Sequence, residues 1–280
     1  MKSASLPSIK LRPDLLPKVL EIISKNEVNR KAMDAEIHEL FREASGRSRP
    51  PSVRNASRAV TYPSLRRLGL LFGEGTNIHL TATGLRLLHA NEEGRVSYER
   101  ELARHLVRWD LDGPSLLGEK GLLAGQTLLS DLARAFSDSM PYGIAEDRLS
   151  RLLPFYETAG LINRIGPGFV RNAGQVQAAK APNSLPPPAA AEFVEALLNE
   201  YDSLIRSRSS PIVPIPLIER AMTERFGGRL WADEFRTLLS KLPQETEAYL
   251  LHFSQPMSRE PLGIRIRGKY FYYVQIHRRR

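Results

Sequence analysis

The 280-residue chain contains no cysteine. That excludes disulfide staples, thiolate metal sites and thiol nucleophiles, and it suits a reducing compartment. No apolar run reaches transmembrane length and no apolar block follows the basic start Met1-Lys2, so no span or secretory signal is read and a cytoplasmic location is expected. The six histidines, His38, His79, His89, His105, His252 and His277, nowhere show metal-ligand spacing. A G-x-S-x-G nucleophile elbow is also missing. Residues 118–127, GEKGLLAGQT, imitate a phosphate-binding loop, but Gln126 stands where lysine is required and no strand precedes it. Asp110, Asp112, Glu119 and Lys120 supply the residue types of a metal-dependent nuclease. Glu119 and Lys120 adjoin, however, and would point apart in a strand, so a polar loop is the simpler reading. No cofactor and no metal are expected, and the chain is not read as an enzyme.

What is present in excess is positive charge, +9 overall with a pI near 9.9, which favours a polyanionic partner such as nucleic acid. Its distribution is uneven. Residues 1–97 hold 16 Lys and Arg against 10 Asp and Glu (+6), residues 98–175 hold 9 against 10 (−1), and residues 176–280 hold 15 against 11 (+4). Length allows two or three domains of ordinary size.

Apolar periodicity predicts helices over Leu11 to Asn26 and Asn29 to Ser45, the first opening on Pro13 and Asp14, which suit a first helical turn. A basic, proline-stiffened turn, Gly46 to Ser52, follows; it can track a phosphate backbone or be an ordinary solvated loop. A third helix from Val53 is expected to carry Arg54, Asn55, Arg58 and Thr61 on one side and to end at Gly69, where glycine takes the left-handed conformation without a Cβ clash. A hairpin with Gly73, Gly75 and Asn77 at its tip, the strand Ile78-His79-Leu80 and a helix from Thr81 come next; His79 is read as a surface residue. The pattern RLGLL, hairpin, LTATG resembles the winged helix-turn-helix superfamily.

Residues 98–175 repeat the theme. Pro63-Ser64-Leu65-Arg66-Arg67-Leu68-Gly69-Leu70-Leu71 lies over Pro154-Phe155-Tyr156-Glu157-Thr158-Ala159-Gly160-Leu161-Ile162, each followed by a glycine-containing turn, which reads as a duplication. Each proline removes an amide donor inside the third helix, so a kink or break is expected at the same place in both. The second copy presents Glu146, Asp147, Arg148 and Arg151, and carboxylates would be repelled by phosphates; it is expected to meet protein or to act as a spacer. Residues 176–190, rich in Ala, Gln and Pro, are read as a linker. Residues 191–280 give three helices and then alternating strands, with Gly268 turning one hairpin between Ile264 to Arg267 and Lys269 to Ile276. There Arg265 and Arg267 interleave with aromatics, a pattern that can bind nucleic acid but is more commonly cross-strand packing.

The expected fold is therefore mainly α with small β-hairpin wings (α+β), as tandem winged-helix modules at 1–97, 98–175 and 191–280. The resemblance implies a non-enzymatic double-stranded-DNA-binding protein whose helix from Val53 enters the major groove. Arg54, Asn55 and Arg58 would reach bases or phosphates. Arg47, Arg49, Arg66, Arg67 and Asn77 would hold the backbone, and Arg265 and Arg267 would add contacts. The alternative is an adaptor whose modules bind protein partners, residues 98–175 first among them. In layout the chain resembles winged-helix proteins that accompany bacterial restriction, anti-phage or chromosome-partition machinery.

Overall fold

The computed structural model describes residues 6–27, 29–45, 54–73, 75, 77–112, 114–117, 127–180, 185–208, 210–256 and 262–279. The protein is mainly helical with small antiparallel sheets. It divides into two compact units, one over Met1–Leu80 and Gly84–Pro182, the other over Thr81–Thr83 and Asn183–Arg280. Among the described residues no helix is long and apolar enough to cross a membrane.

In the first unit, a 3₁₀ turn at Pro13–Leu15 leads into α1 (Leu16–Lys25). Leu16, Val19, Leu20 and Ile23 of α1 fall at the i, i+3, i+4, i+7 spacing of one helix face and are all buried. After α2 (Arg30–Ser45) the chain winds as a wide, π-type helix over Arg54–Thr61 and tightens into α3 (Tyr62–Arg67). Pro63 brings no amide donor to this region, and hydroxyl groups bond carbonyls on either side of it: Thr61 donates to the Ala56 carbonyl at 2.7 Å and Ser64 to the Val60 carbonyl at 2.6 Å. Thr61 is accordingly buried instead of facing out with Arg58 as expected. The strands β1 (Leu71–Phe72) and β2 (His79–Leu80) pair antiparallel, and α4 (Ala82–Glu93) closes the first repeat.

The second repeat runs through α5 (Arg95–Asp112), β3 (Thr127–Leu128), α6 (Leu129–Ala135), α7 (Tyr142–Thr158), β4 (Ile162–Ile165), β5 (Gly168–Arg171) and α8 (Ala173–Lys180), with strand order β3-β5-β4. Both third helices end in the same hydrogen-bond pattern. Gly69 and Gly160, at φ 70° and 67°, donate to the Arg66 and Glu157 carbonyls. The leucine after each glycine donates five residues back, Leu70 to Leu65 at 2.8 Å and Leu161 to Tyr156 at 2.9 Å. The kink expected in both copies is not shared: the winding changes just before Pro63, whereas α7 continues through Pro154.

The boundary expected at residue 97 falls inside this unit. One hydrophobic core runs from Leu6 to Ala179 and includes Leu65 and Leu68 beside Tyr98, Leu102 and Leu106 of α5. Two donors one turn apart on α5 hold the end of α3: the His105 Nε2–H bonds the Leu68 carbonyl at 2.7 Å and the Trp109 Nε1–H bonds the Arg67 carbonyl at 2.8 Å. The expected linker is also shorter, because α8 occupies its start and buries Val176 and Ala179. Alanine and glutamine are good helix formers once an apolar face has something to cover.

The second unit contains α9 (Ala190–Arg206), β6 (Val213–Pro214), α10 (Ile215–Phe226), α11 (Ala232–Lys241), β7 (Tyr249–Ser254), β8 (Ile264–Ile266), β9 (Lys269–Phe271) and β10 (Tyr273–Arg278). Its main sheet has the order β6-β10-β7, while β8 and β9 pair only with each other. The single long strand expected after Gly268 is thus two strands broken at Tyr272, a buried residue whose N–H bonds the Ser254 carbonyl and whose carbonyl accepts the Ile215 N–H. The break changes which side chains face inward: the Phe271 ring packs tilted against Phe253 with centres 5.8 Å apart, while Val274 and Ile276 enter the core. The second repeat is built as helix, strand, helix, helix, strand, strand; the second unit opens in the same order but ends in four strands, and in both the first strand lies beside the last. The first repeat has the same order without an initial strand among the described residues.

Candidate nucleic-acid interface

Arg58 lies on the π-wound segment with 63% of its side chain exposed, and Ala59 beside it is exposed too. Arg54 and Asn55 occupy the same helix backbone, but their side chains lie outside the described residues, as do Arg47 and Arg49 altogether. Asn77 is exposed between β1 and β2, the hairpin expected to be a wing and called the wing below. Of the expected set, Arg58 and Asn77 are thus exposed among the described residues. Arg66 and Arg67 depart from it, because their guanidinium groups are engaged within the protein: Arg66 donates to the Gly73 carbonyl of the wing and Arg67 to the Ser8 carbonyl of the N-terminal segment.

Arg30 and Asp34, a residue pair at i, i+4 on α2, had no place among the expected site residues. The Arg30 Nη1 donates to the Gly75 carbonyl at 3.0 Å and its guanidinium lies 4.0 Å from the centre of the Tyr62 ring. Two arginines, Arg30 and Arg66, thereby hold carbonyls of the wing turn. The turn itself requires glycine at Gly73, where an added Cβ would come 1.9 Å from the Asn77 carbonyl oxygen. Buried Asp34 accepts from the Tyr62 hydroxyl at 2.6 Å and from the Arg30 Nε at 3.1 Å, and its second oxygen faces the Arg58 Nε at 3.8 Å. Burial, and then the bond to Asp34, raises the Tyr62 pKa, so the hydroxyl stays a donor. At the other end of the wing Glu27 accepts the Leu80 N–H and pairs with the His79 Nδ1, both at 3.2 Å. His79 is consequently a partly buried, paired residue and not the plain surface one expected. The i, i+4 spacing of Arg30 and Asp34 is the only signal of this network in the sequence; their wing and ring partners lie too far along the chain.

The second repeat offers a different surface. Arg151 pairs with Asp147 at 2.7 Å and Arg148 donates to the Leu6 carbonyl at 2.6 Å, so neither guanidinium is left idle on α7. Exposed apolar side chains stand here instead. Leu128 and Ile165, 39% and 51% exposed, are both register partners of Gly168 across the three-stranded sheet, and Tyr142 and Ile144 are exposed at the start of α7. The candidate nuclease acid Asp110 is internal. It is fully buried and accepts the Leu116 and Leu117 N–H groups at 2.9 and 2.8 Å and the Tyr156 hydroxyl at 2.9 Å, which makes it a loop anchor. The Asp112 side chain, Glu119 and Lys120 lie outside the described residues, and among the described ones no cluster of three or more His, Asp or Glu is placed to hold a metal ion.

In the second unit Arg225, Arg229, Arg236, Arg278 and Arg279 are paired with acids. Exposed Arg265, Arg267 and Lys269 on the β8–β9 hairpin have no acidic partner among the described residues. Tyr270 sits directly across from Arg265, and its hydroxyl accepts the Gly263 N–H at 2.5 Å. Arg267 and Gly268 form the two-residue turn at φ 48° and 80°. Both central residues of such a turn require positive φ, which Asn, Asp and Gly adopt most easily and arginine resists by roughly 1 kcal/mol. Arg267→Gly is therefore expected to raise the stability of the second unit by up to about 1 kcal/mol in urea denaturation.

No protein-family model, curated protein or solved structure matches the chain.

Proposed function

We propose that the chain is a non-enzymatic protein that binds double-stranded DNA through tandem winged-helix modules, with the first module as the principal contact. The observation that carries this reading is the solvent-facing Arg58 on a helix set beside a wing whose turn is held by Arg30 and Arg66. The element order of the repeats and the β3-β5-β4 and β6-β10-β7 sheets support the module assignment, as the uneven positive charge supports the ligand. On this reading Arg54, Asn55 and Arg58 are the residues that meet the groove. Asn77, the basic turn with Arg47 and Arg49, and the hairpin bearing Arg265 and Arg267 supply backbone contacts. Arg66 and Arg67 serve this reading indirectly, by fixing the wing and the N-terminal segment.

The test is a gel-shift series across salt with duplex, single-stranded and RNA probes. A steep salt dependence on duplex supports the reading, and no shift of any duplex at low salt defeats it. Arg54→Ala with Arg58→Ala is expected to weaken duplex binding and to flatten the slope of log K against log salt, by about 0.9 for each of the two that meets a phosphate. Arg267→Gly is expected to flatten it by about 1 while stabilising the fold, a pairing of effects that a purely structural arginine would not give.

A second reading has its own observation. The apolar side chains Leu128, Ile165, Tyr142 and Ile144 on the second repeat, where cations are internally paired, suit a protein partner. On this reading the chain is the adaptor, or the DNA-recognition subunit, of a larger bacterial DNA-transaction, anti-phage or partition complex. A stable partner lost on Leu128→Asp with Ile165→Asp would support it.

A further inference from the structure

We propose that Asp34 is a positioning residue that makes the first module discriminate between base sequences, by fixing the Arg58 guanidinium and, through Arg30, the wing tip. This rests on the DNA reading above. The argument begins with what a side chain must do to read a base. A phosphate asks only for positive charge nearby, whereas the edge of a guanine asks for two parallel donors in a fixed plane. A freely rotating surface arginine meets the first requirement and meets the second poorly.

Asp34 supplies the constraint. Its side chain is 11% exposed, and one carboxylate oxygen is held by both the Tyr62 hydroxyl and the Arg30 Nε, so the group cannot turn to follow a moving partner. The second oxygen faces Arg58 along its Nε edge at 3.8 Å, within ion-pair range. Approach along that edge leaves the outer nitrogens of the planar guanidinium, with their donors, free to point outward. Arg30 is not itself a reader. Its Nε goes to Asp34, its Nη1 to the Gly75 carbonyl and its face to Tyr62, which makes it a strut between α2 and the wing. One buried carboxylate thus sets the helix face and the wing tip in a common register.

The experiment is selection of duplexes from a random-sequence library by the full-length protein, followed by the ratio of affinities for the enriched duplex and a shuffled one. Wild type is expected to enrich a motif. Asp34→Asn is expected to bind the shuffled duplex as tightly or more tightly, since an acid near phosphates is gone, while the ratio falls at least roughly tenfold, the scale of one bidentate base contact. Arg58→Lys, an exposed and fold-neutral change, loses the ratio to the same degree. The double variant loses less than the two single losses combined, because Asp34 acts in part through Arg58; what it loses beyond Arg58→Lys is the share exerted through Arg30 on the Gly75 turn. A merely structural Asp34 would lower both affinities together, and that result overturns the proposal. So does a wild-type protein that binds duplexes without enriching any, or an Arg58→Lys variant that keeps its ratio even if Asp34→Asn fails to fold. Absence of all duplex binding would instead bring down the DNA reading itself.

Discussion

Arg236→Met is expected to lower the stability of the second unit by about 3–5 kcal/mol at neutral pH, the cost of leaving a buried charge without its partner. Glu219 on α10 has 1% of its side chain exposed, and its carboxylate is held by the Arg236 Nε at 2.5 Å and Nη2 at 3.1 Å from α11. Burial pushes the Glu219 carboxyl up, and the Arg236 charge opposes that push. Removing the cation leaves the upward push alone. A carboxyl raised in the folded state takes up protons on folding, so its favourable contribution is present below the unfolded pKa and is lost as pH rises through the folded one. The deficit of Arg236→Met is therefore greatest at neutral pH and shrinks toward pH 4.5. Glu219→Gln added to Arg236→Met should recover most of it. The measurement is a urea series followed by fluorescence, simplified by the two tryptophans, since Trp109 belongs to the first unit and Trp231 to the second. A deficit under about 1 kcal/mol at neutral pH would show that the Arg236 charge is not what keeps Glu219 ionised in place.

The second large effect is a loss of stability in mild acid that originates at His105. Burial lowers its pKa to about 4, against an opposing raise from the Leu68 carbonyl that its Nε2–H bonds. The unfolded chain takes up a proton near pH 6.5 and the folded one only near 4, so between these values the unfolded state binds more protons. The His105 contribution is full above about pH 6.5, falls as pH drops and is gone below about 4, amounting to about 3 kcal/mol across the window. His105→Gln keeps an amide donor without a titration and is expected to flatten the difference between pH 6.5 and 4.5. Trp109, one turn along the same face of α5, reports the change directly. A wild-type profile identical to that of His105→Gln would mean that protonated His105 is accommodated. The consequence reaches the candidate interface, because α3 continues the segment that carries Arg58.

Much of the local structure was legible. α1 and α2 announce themselves by apolar period, and the Pro, five residues, Gly, Leu punctuation marks both third helices because a left-handed residue followed by an apolar contact is what ends them. Long-range pairing was not legible. An arginine bound to a carbonyl, as Arg66 and Arg67 are, is written with the same letter as one free to meet phosphate. The segment at Asp110 reads as a polar loop because the sequence does not show that two amides and the Tyr156 hydroxyl enclose its carboxylate. The break at Tyr272 escaped because the alternation on either side of it runs unbroken, while the hydrogen bonds that split the strand come from Ser254 and Ile215. α8 escaped because its composition suits a linker and a helix equally until Val176 finds a core.

The continuous core beneath the first two repeats bears on how such a chain can be cut and inherited. A fragment ending at residue 97 would strip away α5 and leave Leu65, Leu68 and the last carbonyls of α3 facing water, whereas a break after Pro182 parts the two compact units. The exchangeable piece is accordingly the fused pair of repeats, and neither member of the pair is expected to travel alone.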